Sequence, residues 1–270
     1  MLSRILLACL VAPSFLGAQI PAAVQVERAD YAEWLRTSTS SPYAAVFHGP
    51  LSGDLVFGSE GQAALRGAPT ATLSKGLRGL GLRTDAGRRA VPRNREVALG
   101  DWRLRVSSSP QGDMVTVFAP PSQEVEHPGW FPYSVNLVIE GELGRPDRPA
   151  EKAMLGLDGV AVSASLAGTF VGLVLGENVR LTAYRIPIPG SEESELTVFY
   201  RDGTSGAETY PPGRFVVLEP LGGARYQMDL NRSRNPFCAY NPRFPCPLPW
   251  SGNTLQFRVE AGELYEPYHY

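Results

Sequence analysis

The stretch ELTVFYRDGTSGAETYPPGRFVVLE (195–219) places a polar, Gly- and Pro-rich segment between two apolar ones. The flanking segments, ELTVFYR and RFVVLE, are short and rich in β-branched and aromatic residues, which is typical of strands. Gly, Pro and Asp between them supply the backbone geometry of turns. The sequence therefore predicts a β-hairpin with a long loop.

Segments of this kind recur along the chain. VALGDWRLRV (97–106), YSVNLVIEGEL (133–143), RLTAYRI (180–186) and TLQFRVE (254–260) mostly place apolar residues at alternate positions. The 28 glycines and 24 prolines of the chain punctuate such segments. Strands at this spacing, without helices between them, favour antiparallel sandwiches or barrels, so we expect a mainly β protein.

The N-terminal part has a different period. VERADYAEWLRTS (26–38) predicts one short helix, with Val26, Ala29, Trp34 and Leu35 on its buried face. Further along, the prolines of APPSQEVEHPGWFP (119–132) suit a linker or a long surface crossing. We therefore expect two parts: the helix plus a small N-terminal β-sandwich (26–122), and a C-terminal β-domain (128–268).

The first residues have the layout of an export signal. MLSRILLACLVAPSFLGAQ (1–19) has one basic residue, a short apolar run and then small residues, which predicts a secretory signal peptide over 1–18. Lipidation at Cys9 is the minor alternative. No later segment approaches the roughly 20 apolar residues of a membrane helix, so we expect no membrane span. The predicted location is extracytoplasmic, either secreted or periplasmic.

Two cysteines remain after removal of the signal peptide. Cys238 and Cys246 lie in the Pro-rich segment DLNRSRNPFCAYNPRFPCPLP (229–249), and a pair in an exported chain predicts a disulfide. The alternative is half of a metal site, but the three histidines of the chain occur singly. We therefore predict no metal site and no cofactor. A disulfide with several prolines would make this segment rigid.

A basic stretch, KGLRGLGLRTDAGRRAVPRNR (75–95), has two interpretations. It could bind anionic envelope polymers or nucleic acid, or it could be the solvated outer face of strands and turns. No aromatic residue interrupts it, so the stacking platform for single-stranded nucleic acid is missing, and we predict no nucleic-acid partner.

Two polar segments in the last third contain the candidate ligand-binding residues. Rigid β scaffolds concentrate binding groups on such loops. We expect the two segments to meet, with Arg214 in ion-pair reach of Asp229 or Glu208 and Tyr210 near residues 231–240. The candidates are Arg201, Asp202, Thr204, Ser205, Glu208, Tyr210 and Arg214 in the hairpin loop, and Asp229, Asn231 and Tyr240 in the Pro-rich segment. No nucleophile–base pair is visible, so no catalytic residue is assigned.

The same motifs carry a resemblance. RDGTSGAETYPPGRF (201–215), the Pro-rich segment and the AGE at 261–263 resemble the bacterial family defined by domain of unknown function 1684. The match is strongest over 199–263. Pro211 and Pro212 stand where the family commonly has glycines. The resemblance supports the motif and the boundary of the C-terminal domain and implies no reaction.

The sequence is compatible with three functions. In the first, the C-terminal β-domain binds a small anionic or hydroxylated ligand, with Arg201 and Arg214 as clamps for a carboxylate or phosphate. In the second, it is a hydrolase-like enzyme with Asp202, Glu208 or Asp229 as general acid or base. In the third, it has a purely structural or envelope-interaction role and no small-molecule site.

Overall fold

A computed structural model describes residues 19–121, 128–188, 191, 193–248, 250 and 252–266. The predicted signal peptide (1–18) and the middle of the predicted linker (122–127) lie outside the described residues. The described chain is mainly β, its strands pair antiparallel within the sheets, and it has a single α-helix near its start, which confirms the predicted fold class. The helix is α1 (Ala22–Thr37), and short 3₁₀ turns span Pro42–Ala44, Ala63–Leu65, Val135–Leu137, Leu230–Arg232 and Phe237–Ala239. The strands are β1 (Ala45–Pro50), β2 (Leu55–Phe57), β3 (Ala71–Gly76), β4 (Gly79–Thr84), β5 (Gly87–Ala90), β6 (Glu96–Leu99), β7 (Trp102–Ser109), β8 (Gly112–Phe118), β9 (Val138–Gly144), β10 (Glu151–Leu155), β11 (Ala161–Val174), β12 (Glu177–Pro187), β13 (Ser194–Tyr200), β14 (Arg214–Gly222) and β15 (Arg225–Asp229).

The buried face of α1 differs from the predicted one. Val24 and Leu35 are buried, whereas Val26 is 58% exposed and Ala29 is exposed too. Tyr31 lies between these two residues on the same face of the helix, four positions before Leu35. The apolar pattern alone was therefore wrong about Val26 and Ala29, because part of this interface is made by amphipathic side chains.

The N-terminal part is a β-sandwich. One sheet has the order β1-β8-β7-β6 and the other β2-β3-β4-β5. Alternate residues of β7 and β8 enter the core between the sheets, among them Leu104, Val106, Val115 and Val117, which are completely buried. The opposite face of β7 therefore points away from this core, and it carries Arg105.

The basic stretch 75–95 begins at the end of β3, includes β4 and β5 of the second sheet, and continues to Arg95. β5 is exposed along its whole length. Lys75 and Arg93 both bind Asp113, at 2.9 and 2.7 Å, and the Arg93 hydrogen bond is the main cause that lowers the pKa of Asp113 to about 2. At least these two cations therefore have a structural role.

The C-terminal part is a closed barrel. Strands pair in the order β9, β11, β12, β13, β14, β15 and back to β9, while β10 extends the sheet from β11. A register shift in β11 between Leu166 and Gly168 lets even-numbered residues face outward before it and inward after it, because one extra residue switches the side-chain alternation. Phe170 and Val174 accordingly fill the barrel interior.

The hairpin predicted over 195–219 is formed by β13 and β14. Val198 lies opposite Val216 and Thr197 opposite Val217. Strand alternation sends the first pair into the barrel core and the second pair outward. This outward face forms one wall of the site described below. None of the described helices is long and apolar enough to cross a membrane.

Candidate functional site

The predicted clamp Arg214 is part of a closed, buried ion pair. Its side chain is 0% exposed, and its guanidinium donates to Asp202 Oδ1 at 3.1 Å and to the carbonyl oxygen of Val259 at 3.2 Å. Asp202 also accepts from the backbone N–H of Val259 at 2.7 Å and from both donors of Thr204. The carboxylate of Asp202 is thus satisfied, whereas Nε of Arg214 has no acceptor among the described residues. Arg214 and Asp202 face each other and the barrel interior, so they close one end of the barrel rather than face the cavity described below.

The expected ion pair of Arg214 with Glu208 or Asp229 was wrong. Strand alternation directs Arg214 inward, whereas Glu208 reaches out to Arg258 at 2.6 Å. Asp229 accepts from the backbone N–H of Asn231 at 3.0 Å and lies 3.5 Å from Arg232. The local turn after β15 therefore determines the partners of Asp229.

The remaining loop candidates also make mainly internal contacts. The hydroxyl of Thr204 lies 2.9 Å from that of Thr209, and Ser205 Oγ accepts from the backbone N–H of Asp202. Arg201 bridges to Thr254 through its backbone. Asn231 is fully buried, and its side chain binds Ser134 through both the backbone N–H and the carbonyl oxygen.

Tyr210 approaches the Pro-rich segment, as predicted. It packs in one cluster with Phe237, Cys238 and Tyr240, and its hydroxyl lies 3.0 Å from Cys246 Sγ. Burial, with a smaller contribution from the neighbouring Cys246 thiol, raises the pKa of Cys238. The structure describes both cysteines as free thiols, so the disulfide stays a prediction.

A large concave space lies elsewhere, between α1, the β-sandwich and the outward face of the barrel. This cavity has a volume of about 920 Å³. Among the ten predicted ligand-binding residues, only Asp229 lines it. Its apolar and aromatic lining consists of Tyr31, Trp34, Leu157, Ile186, Pro187, Ile188, Phe215, Val217 and Phe237, and its polar lining of Glu27, Ser40, Arg95, Glu96, Arg105, Glu195, Thr197, Glu219, Asp229, Arg232 and Arg234.

One side of the cavity is organised around Glu27 of α1. Arg232 binds its carboxylate at 3.1 Å, and Arg234 binds the other carboxylate oxygen. The Arg234 guanidinium lies 4.5 Å from the ring centroid of Tyr31, which adds a cation–π contact. These contacts join the helix to the segment after β15 and hold the wall in place.

Arg105 lines the cavity from the sandwich side and is only 2% exposed. Its guanidinium donates to Asp158 Oδ2 at 3.2 Å. Within the described part of the chain, its Nε–H donates to no acceptor. A buried donor without a partner costs about 1–3 kcal/mol, so the Nε–H of Arg105 is an unsatisfied group in the cavity wall.

Two carboxylates lie on the barrel wall of the cavity. Glu195 on β13 and Glu219 on β14 both line it. Partial desolvation, with a smaller contribution from the charge of Glu219, raises the pKa of Glu195. Arg234 opposes the shift. The barrel wall therefore places two carboxyl groups in one cavity.

Behind the helix wall, a hydrogen-bonded chain leads to a buried acid. The hydroxyls of Tyr31 and Tyr240 are 2.9 Å apart, and Tyr240 donates to Glu263. Glu263 is 0% exposed and also accepts from the backbone N–H of Asn235 at 2.8 Å. Burial raises its pKa to about 7, against the opposing hydrogen bonds and nearby arginines.

Residues 126–264 match the family described as Protein of unknown function (DUF1684). The chain belongs to this family. The DUF1684 segment covers the barrel, the buried Arg214–Asp202 pair and the Pro-rich segment, whereas α1 and Arg105 precede it. The DUF1684 site is thus completed by residues outside the matched segment.

Among solved structures, the chain is similar to the solution NMR structure of the uncharacterized protein from gene locus rrnAC0354 of Haloarcula marismortui. The identity is 30%, the match covers 52% of this chain and 77% of that one, and the TM-score is 0.45. The comparison with curated proteins finds no significant match for this DUF1684 chain.

Sequence reasoning missed most of the cavity. Glu195 is the last residue of the acidic run SEESE (191–195), and such a run predicts a solvent-exposed surface. The alternation in ELTVFYR does place Glu195 on the same outward face of β13 as Thr197, and both residues line the cavity. Arg105 lies between Leu104 and Val106, a pattern that predicts its face but not its burial. In the described residues, no cluster of three or more His, Cys, Asp or Glu side chains could hold a metal ion.

Proposed function

We propose that this DUF1684 protein binds a small molecule in the cavity between α1, the sandwich and the barrel. The single observation that carries the proposal is a space of about 920 Å³ that combines an apolar, aromatic lining with a few polar groups. Small-molecule sites have this volume and this composition, and they lie preferentially between structural units. The ligand proposed is anionic or hydroxylated, as the polar lining can bind either group.

The residues that carry binding differ from the sequence-predicted clamps. Arg201 and Arg214 do not line the cavity, and Arg214 forms a buried ion pair with Asp202. Asp229 is retained from the original set, and Arg105, Glu195 and the aromatic side chains of α1 are added. An extracytoplasmic location remains part of the proposal and is supported by the layout of residues 1–18.

A ligand screen with a cavity-filling variant tests this function. Hydroxylated and acidic compounds with an apolar part are screened by ligand-detected NMR against the wild type and Val217→Trp. Val217 is half-buried and lines the cavity, so an indole there should remove most binding. Leu221→Trp is the matched control, because Leu221 lies on the same strand and is 43% exposed outside the cavity. Equal binding by both variants contradicts the proposal.

A second candidate function is hydrolysis, favoured by the carboxyl groups of Glu195 and Glu219 in one cavity. The acid–base candidates from sequence are engaged elsewhere: Asp202 with Arg214, Glu208 with Arg258 and Asp229 with Arg232. Burial raises the pKa of Glu195, and a carboxyl with a raised pKa can act as a general acid.

Chromogenic glycosides and esters test the hydrolase candidate. Turnover that is lost in Glu195→Gln and kept in Glu193→Gln supports it, since Glu193 is exposed and does not line the cavity. Turnover that survives Glu195→Gln contradicts it. If no compound binds and none is hydrolysed, the purely structural or envelope-interaction role is the better account.

A further inference from the structure

The strongest unassigned feature of the cavity is the guanidinium of Arg105. It is 2% exposed, it lines the cavity, and its Nε–H has no acceptor in the described part of the chain. Arg232 Nε, another cavity-lining donor without a well-formed hydrogen bond, still lies 3.1 Å from a carboxylate oxygen of Glu27, and Arg234 also pairs with Glu27. Nearly all buried donors in folded proteins have a partner, so a buried donor that faces a cavity and lacks one points to a ligand atom.

We propose that Arg105 is the subsite for the carboxylate of an amphipathic monoanion, whose apolar body lies against the aromatic and aliphatic lining of the same cavity. This inference rests on the proposed small-molecule function and specifies its ligand class. The apolar body has a surface to bind, because Leu157, Phe215 and Phe237 line the cavity together with Arg105.

The charges around Arg105 select a single negative charge. Asp158, which is 3% exposed, already accepts one guanidinium hydrogen bond and neutralises part of the charge. Glu96 lies directly across from Arg105 in the β6–β7 register, and the barrel wall contributes Glu195 and Glu219. A dianion such as a phosphate monoester would be repelled by these acids, whereas a carboxylate adds only one charge.

The imidazole of His48 does not compete for the site. Burial, and then the charge of Arg105, lower the pKa of His48, although Asp158 opposes the shift. His48 is held by Thr116 at 3.0 Å and stacks near Phe244. It therefore stays neutral near pH 7, and Arg105 supplies the positive charge of this corner.

The test compares carboxylates with their uncharged amides. Octanoate and 3-phenylpropanoate are titrated into the full chain by calorimetry at pH 7.5, next to octanamide and 3-phenylpropanamide. A charge-assisted hydrogen bond to a buried group corresponds to about tenfold or more in affinity, so each carboxylate should bind at least about tenfold more tightly than its amide.

Two variants should change the affinity for carboxylates in opposite directions. Arg105→Gln should abolish the preference for carboxylate, while the amides bind as before. Asp158→Asn keeps an oxygen for the backbone N–H of Val160 but removes the competing charge, so it should tighten carboxylate binding by about tenfold and leave amide binding unchanged. Arg103→Gln is the control, because Arg103 lies on the same strand, donates to the backbone oxygens of Gly100 and Trp102, and is not among the cavity-lining residues.

The outcomes separate the two proposals. Equal binding of carboxylate and amide by the wild type overturns the Arg105 subsite and leaves the binding cavity standing. No binding of any probe overturns both. If Arg105→Gln does not fold, the double variant Arg105→Gln/Asp158→Asn removes both charges, and a carboxylate preference that persists in it overturns the inference. Weaker carboxylate binding in Asp158→Asn also overturns it, since a merely structural ion pair gives that result.

Discussion

The replacement of Glu263 by glutamine should remove a specific pH dependence of stability. Glu263 is fully buried, accepts hydrogen bonds from Tyr240 and from the backbone N–H of Asn235, and has a pKa raised to about 7 by burial. The ordinary value for this group is 4.5. The folded protein therefore binds this proton more tightly than the unfolded chain does.

The sign and the magnitude follow from proton linkage. Between pH 4.5 and 7 the folded state holds a proton that the unfolded state has lost, so the stability contributed by this group is complete below pH 4.5 and falls as the pH rises to 7. The difference of the two pKa values corresponds to about 3 kcal/mol. A glutamine resembles the protonated acid, keeps an oxygen for Asn235 and never ionises.

The assay is the free energy of unfolding in urea, measured from pH 4 to pH 8.5. The wild type and Glu263→Gln should be similar near pH 4, and the variant should be more stable by about 3 kcal/mol near pH 8. Glu260→Gln is the control, because Glu260 is exposed and pairs with Arg258, and its pH profile should follow the wild type. A Glu263→Gln profile parallel to that of the wild type refutes the reasoning.

Three further predictions concern the scaffold. Arg214→Met leaves the carboxylate of Asp202 buried without its cation and should reduce the free energy of unfolding in urea by about 3–5 kcal/mol; a loss below 1 kcal/mol contradicts the buried ion pair. Gly168→Ala adds a Cβ at φ +148°, only 2.0 Å from a carbonyl oxygen of β9, and should lower the thermal midpoint through about 1–3 kcal/mol of strain; an unchanged midpoint argues against the bulge. Mass spectrometry of protein exported by its native host should find a chain that begins near Gln19 and has Cys238 joined to Cys246, and two free thiols there contradict the proposed compartment.

The strands were predictable because burial of one face of a sheet requires apolar residues at alternate positions of the sequence. In β13, Leu196, Val198 and Tyr200 face the barrel interior, and the residues between them face outward. This alternation is local, and so the hairpin over 195–219 follows from sequence. The closed barrel does not, because the pairing of β9 with β15 joins residues far apart in the chain.

The candidate site was less predictable for a different reason. A dense polar loop such as 201–214 has the same composition whether it binds a ligand or satisfies its own buried groups, and here Asp202 and Arg214 do the latter. The cavity instead collects residues from α1, the sandwich and the barrel, such as Glu27, Arg105 and Glu195. Their proximity depends on how these elements pack, and no local pattern encodes that.

The contacts of α1 have a consequence for the order in which the protein can form. Tyr31 and Arg28 bind Tyr240 and the carbonyl oxygen of Asn231, about two hundred positions later in the chain. During synthesis α1 is made before the barrel, so the part of its docking surface that Asn231 and Tyr240 provide is complete only when the end of the barrel has been made. Final docking of the helix therefore closes a very long loop, which gives this step of folding a high contact order.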